Sequence, residues 1–296
     1  MPWSRIISGI IAIALALVAT LLGGWYFTIA IAVVVFLGQE EYFNLVRARG
    51  ILPAAKTTMF VSQALLVFSH LNETVADAVM PIAGTLICFY LLFQPKMATI
   101  ADISASIMGL FYVGYLSSFW VRLRTLGSFA ISNLPFGGYW PSDWTEILQQ
   151  KTFASLPQGL TLTVLSFLCI WAADIGAYIF GKFFGKTRLS DISPKKTVEG
   201  AVFGITASIA MGLAGAYYLE FPKFIFTGIA FGLLIGIASL LGDLTESMLK
   251  RDAGVKDSGQ LIPGHGGILD RTDSYIFTAP LVYYFVTLVL PLIAAI

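Results

Sequence analysis

Charged side chains are scarce in this sequence, 12% of 296 residues, about half the roughly 25% of a soluble domain. Together with 57% apolar residues and a mean hydropathy of +0.82, this excludes a disordered chain and an ordinary soluble enzyme. The 18 Lys and Arg nearly balance the 17 Asp and Glu, for a net charge of +1. No overall basic field exists, so no nucleic-acid partner is expected. Cysteine is limited to Cys88 and Cys169. Neither has a Cys or His at ligand spacing, which excludes a disulfide framework and a zinc site. Both lie in apolar runs and read as small buried core residues. Internal repeats, low-complexity stretches and a soluble domain are also missing.

Long apolar runs are abundant. A membrane helix needs about 20 mostly apolar residues, and nine candidates fit: 6–22, 25–38, 58–71, 77–93, 99–121, 158–180, 201–219, 223–246 and 274–295. The expected fold is all-α, a polytopic integral membrane protein of about nine transmembrane helices. Residues 1–157 would form about five helices plus a connecting segment, and 158–296 a C-terminal catalytic region of about four. Arg5 ahead of the first run resembles a signal peptide, but no small-x-small cleavage site follows, so a retained helix is expected.

Basic residues orient the spans. With the N-terminus inside, Arg5, Arg47, Arg49, Lys56, Lys96, Lys182, Lys186, Arg188, Lys195, Lys196, Lys250, Arg251, Lys256 and Arg271 are inside, 14 of 18; Arg122, Arg124, Lys151 and Lys223 are the 4 outside. The expectation is a cytoplasmic N-terminus and an external C-terminus. The 122–157 segment is the misfit and suggests an interfacial helix or re-entrant piece. On this arrangement 182–200 and 247–273 emerge on one face and can meet.

Those two segments carry the chemistry. Asp243, Glu246, Ser247 and Lys250 fall at i, i+3, i+4 and i+7 and share one helix face. Lys256-Asp257 and a Gly/Pro-rich loop follow, then His265-Gly266-Gly267 and Asp270-Arg271-Thr272-Asp273. Asp270 and Asp273 lie three apart and point the same way on a helical start. Hard oxygen ligands from Asp243, Asp270 and Asp273 suit Mg²⁺, which takes one or two carboxylates plus substrate phosphates. Lys250, Arg251, Lys256 and Arg271 suit phosphates, and glycines let backbone N–H groups approach an anion. Carboxylates for a metal beside cations for phosphate are the makings of a phosphoryl- or nucleotidyl-transfer site. The bland alternative is juxtamembrane charges neutralising one another.

The other segment contains Asp174, an intramembrane acid and so a candidate site residue, against a purely structural helix pairing. Ser193-Pro194 predicts a helix start with Ser193 as N-cap and Pro194 in the first turn. Lys195, Lys196 and Thr197 would then crown a helix N-terminus, a seat for phosphate, unless the lysines are topology markers only. Gly185-Lys186-Thr187 fails as a phosphate-binding P-loop, because Phe180 stands where the motif needs glycine and no strand precedes it.

Together the clusters resemble the phosphatidate cytidylyltransferase (CDP-diacylglycerol synthase) family. Its C-terminal signature is matched by Ser247, Lys250, Arg251, Lys256, Asp257, Pro263, His265, Gly266, Gly267, Asp270, Arg271 and Asp273. Asp174-x-Gly-Ala-Tyr-x-x-Gly-Lys and Ser-Pro-Lys-Lys-Thr-x-Glu-Gly at 193–200 look like its second conserved region. Over the first 170 residues the likeness is only hydropathic. The resemblance implies CTP plus phosphatidate giving CDP-diacylglycerol and pyrophosphate in phospholipid biosynthesis. It implies a metal centre involving Asp243 and Asp270, with Asp273 direct or one layer out. Phosphates would fall to Lys250, Arg251, Lys256 and Arg271 with Ser193, Lys195, Lys196, Thr197 and Ser247. His265 fits equally as a general acid for the leaving pyrophosphate or as a structural, phosphate-binding residue. His70 reads as interfacial and unrelated, and Asn72-Glu73-Thr74 as an incidental sequon. The expected location is a bacterial inner membrane, with membrane lipids around the helices and the site facing the cytoplasm; a homodimer is compatible with such helices. Competing readings are a CTP-dependent polyprenol or phytol kinase and a membrane transporter. A transporter site would sit near the midplane, often within repeats, whereas here the charges lie at one face. A CDP-alcohol phosphotransferase lacks its D-G-x-x-A-R start.

Overall fold

The computed structural model describes residues 2–95, 97–127, 132–141, 156–261 and 266–295, with side chains from residue 9 onward. Helices follow the apolar runs: α1 (Pro2–Leu22), α2 (Gly24–Ala48), α3 (Ala55–Leu71), α4 (Glu73–Leu92), α5 (Ile100–Thr125), α6 (Gln158–Phe184), α7 (Val198–Tyr218), α8 (Phe224–Asp252) and α9 (Leu269–Ala295). Two contain π-helical turns, α5 at Gly109–Tyr115 and α9 at Phe285–Val289. Among the described residues, α2 and α4 to α9 are the seven helices long and apolar enough to cross a membrane. The chain is an all-helical, multi-pass membrane protein.

Local chemistry sets the ends. Asn72 caps α4 through Val75 N–H (3.1 Å), so the sequon residue is a helix cap. Thr99 and Asp102 form a reciprocal capping box on α5. Several helices outrun their apolar stretch: α2 continues to Ala48 and α8 to Asp252. A helix satisfies its own backbone, so it need not stop where side chains turn polar. The overrun of α8 puts the Asp243–Lys250 face on rigid helix rather than loop.

One apolar cluster joins Phe27, Phe119, Trp120, Ile170, Phe231 and Val282, from α2, α5, α6, α8 and α9. Around α7 the contacts are made by small residues. A Cβ on Gly204 would strike the Ala173 carbonyl of α6, and one on Gly232 of α8 would strike Ser208 and Ile209 of α7. Backbones in near contact are how membrane helices gain packing energy where lipid offers no hydrophobic drive.

The two arginines that spoil the charge asymmetry are internal. Arg122 is 1% exposed, donates to Asp77 (2.7 Å) and lies 4.5 Å from the Phe119 ring centre. Arg124 donates to the terminal carbonyls of α1, Thr20 O (2.7 Å) and Leu21 O (2.9 Å), in space left by Gly23. They hold helices together instead of marking a loop, and the positive-inside rule counts loop charges. Half of the 122–157 segment expected to hold an interfacial or re-entrant piece, 128–131 and 142–155, lies outside the described residues. Residues 132–141 make a tight turn, with Leu134 paired to Gly138 and Tyr139 N–H donating to Leu22 O (2.8 Å). One smaller expectation is corrected: Cys169 is buried but Cys88, on α4, is exposed. His70, in the last turn of α3, is 5% exposed, bonded to Thr28 Oγ1 (2.8 Å), with its ring tilted against Trp25 (4.2 Å between ring centres).

Gly232→Val should force α7 and α8 apart and destabilise the bundle by about 1–3 kcal/mol. A thermal melt of the detergent-solubilised protein should show a fall of several degrees; an unchanged midpoint would contradict the close-crossing description.

Candidate active site

The end of α6, start of α7, end of α8 and start of α9 surround a cavity of about 680 Å³. Asp174, Asp243, Asp270 and Asp273 all line it, and so do Lys182, Lys195, Lys196 and Arg271. The two sequence clusters therefore meet in one place, as their shared face required. A second contact ties them: Arg251, exposed at the end of α8, donates to Ile192 O (3.3 Å).

The carboxylates are placed by close helix packing. Gly242 has no side chain, and a Cβ there would run into the Asp273 carbonyl, so α8 and α9 touch at this level and bring Asp243 alongside Asp273. Asp174, Asp243 and Asp273 act electrostatically on one another, with Lys196 the cation among them. Lys196 forms an ion pair with Asp243. Ser247 Oγ donates to Asp243 Oδ1 (3.4 Å), Ser239 Oγ to Asp174 Oδ1 (3.3 Å) and Ser274 N–H to Asp273 Oδ1 (2.7 Å).

Lys250 does not line the cavity but closes it from behind. It pairs with Glu246, whose side chain is fully buried, and with Asp270 Oδ1 (2.5 Å). The other oxygen of Asp270 accepts from Gly267 N–H (2.8 Å), Ser258 N–H (2.9 Å) and Ser258 Oγ (3.0 Å). One glycine N–H of this loop, that of Gly267, therefore points at a carboxylate of the protein itself. Buried carboxylates persist in low dielectric only with such partners.

The 185–197 loop folds back on itself. Leu189 N–H donates to Lys196 O (2.9 Å), Val198 N–H to Thr187 O (2.9 Å), and Arg188 pairs with Thr197. Glu199 accepts from the Lys186 and Thr187 amides and from Thr187 Oγ1 (2.9 Å). The predicted helix start at Ser193 is corrected. Ser193 O accepts from Lys196 N–H in a turn, and α7 begins at Val198 with Thr197 as N-cap, its Oγ1 taking Gly200 N–H (3.1 Å). Pairing of Lys196 with Leu189 and of Thr197 with Arg188 holds these residues out of the helix, which starts only after them. Ser193 and Thr197 still line the cavity. Ser247 is buried and Lys256 is exposed on the loop after α8. His265 lies outside the described residues, as do 262–264.

The donor set suits a hard divalent ion. Asp243 and Asp273 share the cavity, and Asp270 has coordination room only at Oδ1, where Lys250 sits. Among the described residues no three acidic, His or Cys side chains converge into a complete ligand set. Two carboxylates completed by substrate phosphates and water is the arrangement Mg²⁺ prefers, so the residues fit that ion. Lys182, the last residue of the Asp174-x-Gly-Ala-Tyr-x-x-Gly-Lys motif, is on the cavity wall. The residues that sequence reasoning did not single out are Ser239, also on that wall, and Ser258 and Glu41 behind it. Glu41 had no local signal, lying more than 200 residues from its partners.

Lys250→Met would strand Glu246 and Asp270, at a cost of about 3–5 kcal/mol, whereas Lys195→Met on the exposed loop should stay within about 0.5 kcal/mol. Denaturation midpoints of the two variants compare these directly; equal stability would contradict the buried role of Lys250.

The comparisons with known proteins point the same way. A model of the cytidylyltransferase family matches residues 3–289. The chain is 63% identical over 297 residues to a phosphatidate cytidylyltransferase of Synechocystis sp., covering 99% of both chains. It is 43% identical over 279 residues to the chloroplastic phosphatidate cytidylyltransferase 4 of Arabidopsis thaliana, covering 90% of this chain and 68% of that one. A Staphylococcus aureus phosphatidate cytidylyltransferase shares 46% identity over 125 residues, 42% of this chain and 48% of its own. With a family match along nearly its whole length and a cavity that gathers both motif clusters, this chain belongs to the cytidylyltransferase family.

Proposed function

We propose that the chain is a phosphatidate cytidylyltransferase, joining the cytidylyl group of CTP to phosphatidate with release of pyrophosphate. The single observation that carries the reading is the cavity where four carboxylates and four basic side chains meet at the ends of α6 to α9. The relatives' names supply the substrates, and the cavity's composition suits them. The reading puts this end of the bundle, and the N-terminus, on the cytoplasmic side of a bacterial inner membrane, where CTP is available. The excess of basic residues in the segments at this end supports it, with Arg122 and Arg124 set aside as internal.

The chemistry needs little proton transfer. A phosphate monoester has a second pKa of about 6, so the lipid phosphate is largely dianionic at neutral pH and is already a nucleophile. Its oxygen attacks the α-phosphorus of CTP, an O–P bond forms, and the α–β bridge breaks with its electrons leaving on pyrophosphate. The difficulty is bringing two anions together. Lys182, Lys195, Lys196 and Arg271 offset that repulsion by binding phosphate oxygens. Asp243 and Asp273, with Asp270 through Oδ1, would hold Mg²⁺, which supplies Lewis-acid stabilisation of phosphate charge when bound. Asp174, with Ser239, holds negative charge at the inner end, keeping the lysines oriented. Arg251 and Ser247 act at the rim or behind the wall: Arg251 ties the lysine loop to α8 and Ser247 holds Asp243, while Lys256, exposed on the loop after α8, is free of the wall. A kinase of the CTP-dependent kind would need a base for an alcohol, and the cavity presents no described carboxylate without a cation or donor beside it.

Purified protein in detergent, given phosphatidate and CTP labelled at the α-phosphate, should place the label in extracted lipid. Label entering only from the γ-position would mean a kinase, and solute movement without CTP consumption a transporter. Asp243→Asn should lower turnover by at least about 10²–10³-fold with the protein still folded and inserted, because Asp243 is part-exposed and its pairing adds little to stability. Near-normal turnover of that variant, or activity surviving thorough chelation, would refute the metal assignment.

A further inference from the structure

Glu41 lies on α2, outside both motif clusters, yet among the described residues its 7%-exposed side chain is bonded to the loop and helix start behind the cavity. The N-terminus of α9 has no side-chain cap of its own; Ile268 occupies the N-cap position. Its first amides are taken instead by Glu41: Ile268 N–H donates to Oε1 (2.9 Å) and Leu269 N–H to Oε2 (2.9 Å). A carboxylate at a helix N-terminus satisfies orphan donors and meets the positive end of the helix dipole. Gly259 and Gly267 lie against the carboxylate, and a Cβ on either would collide with it. That gives two loop glycines a reason unrelated to ligand approach.

Ser258 connects this cap to the site. Its Oγ stands 2.9 Å from Glu41 Oε2 and 3.0 Å from Asp270 Oδ2. A hydroxyl has one proton, so the two carboxylates share it, and each holds the serine for the other. Asp270 is thereby gripped on Oδ2 while Oδ1 faces Lys250 (2.5 Å). We infer that Glu41 is a positioning residue for the transfer reaction: it caps α9 in trans and, through Ser258, fixes the Asp270 carboxylate and the first turn that carries Arg271 and Asp273. The inference rests on the function proposed above.

The test uses the full chain in detergent, with Glu41→Ala, Glu41→Gln, Ser258→Ala and the Glu41→Ala/Ser258→Ala double variant, each assayed per mole of folded, monodisperse protein. Glu41→Ala should lower kcat by about 10²-fold with KM for CTP changed by no more than about 3-fold, since a misplaced first turn spoils alignment more than binding. Glu41→Gln keeps one acceptor for the helix amides and should recover to within about 10-fold of wild type. Losses from Glu41→Ala and Ser258→Ala should be less than multiplicative in the double variant, because both act through Asp270. Amide hydrogen exchange at 266–269, read without substrate or metal, should quicken in Glu41→Ala. A role confined to folding would lower the yield of folded protein but leave kcat per folded molecule within about 2-fold; that result, multiplicative losses, or unchanged exchange each overturns the inference. If Glu41→Ala yields no folded protein, Glu41→Gln and Ser258→Ala decide it by the same measures. Wild-type protein that makes no CDP-diacylglycerol would defeat the function proposed above, while the exchange comparison would still judge the cap.

Discussion

Carboxylates at the end of a membrane bundle need a cation or a set of donors, and that requirement organises this molecule. Glu246 is fully buried, and Lys250 is its counter-charge. Lys250 also reaches Asp270, so α8 and α9 are joined by a three-member charge chain that neither could bury alone. Lys196 does the same for Asp243 on the cavity side, which draws the α6–α7 loop over the mouth. The fold and the site are thus held by overlapping ion pairs.

The packing around these charges is correspondingly tight. Glycines let α7 lie against α6 and α8, and Gly242 lets α8 touch α9 beside Asp273. These helices form the walls, while α2 and α5 complete the core and α2 brings Glu41 to the back of the site. The first helices are therefore structural partners of the reaction centre as well as membrane spans.

Much of this was legible in the sequence. All nine apolar runs became helices, and the i, i+3, i+4, i+7 face of α8 was correctly read, because periodicity and hydropathy are local. The convergence of the two polar segments followed from counting spans. What escaped was set by tertiary contact. Arg122 and Arg124 counted as loop charges, yet they are buried against Asp77 and the end of α1, and no local feature distinguishes a buried arginine from an exposed one. Ser193-Pro194 had the composition of a helix start, but hairpin pairing moved the start to Thr197. Ser258 and Glu41 were invisible for the same reason: their partners are far away in sequence.

The most direct measurement is an experimental structure of the full chain with CTP and Mn²⁺, the ion located by its anomalous scattering. The account predicts an ion between Asp243 and Asp273, with the triphosphate against Lys196 inside the cavity. A nucleotide bound elsewhere, or an ion that leaves both aspartates untouched, would contradict it.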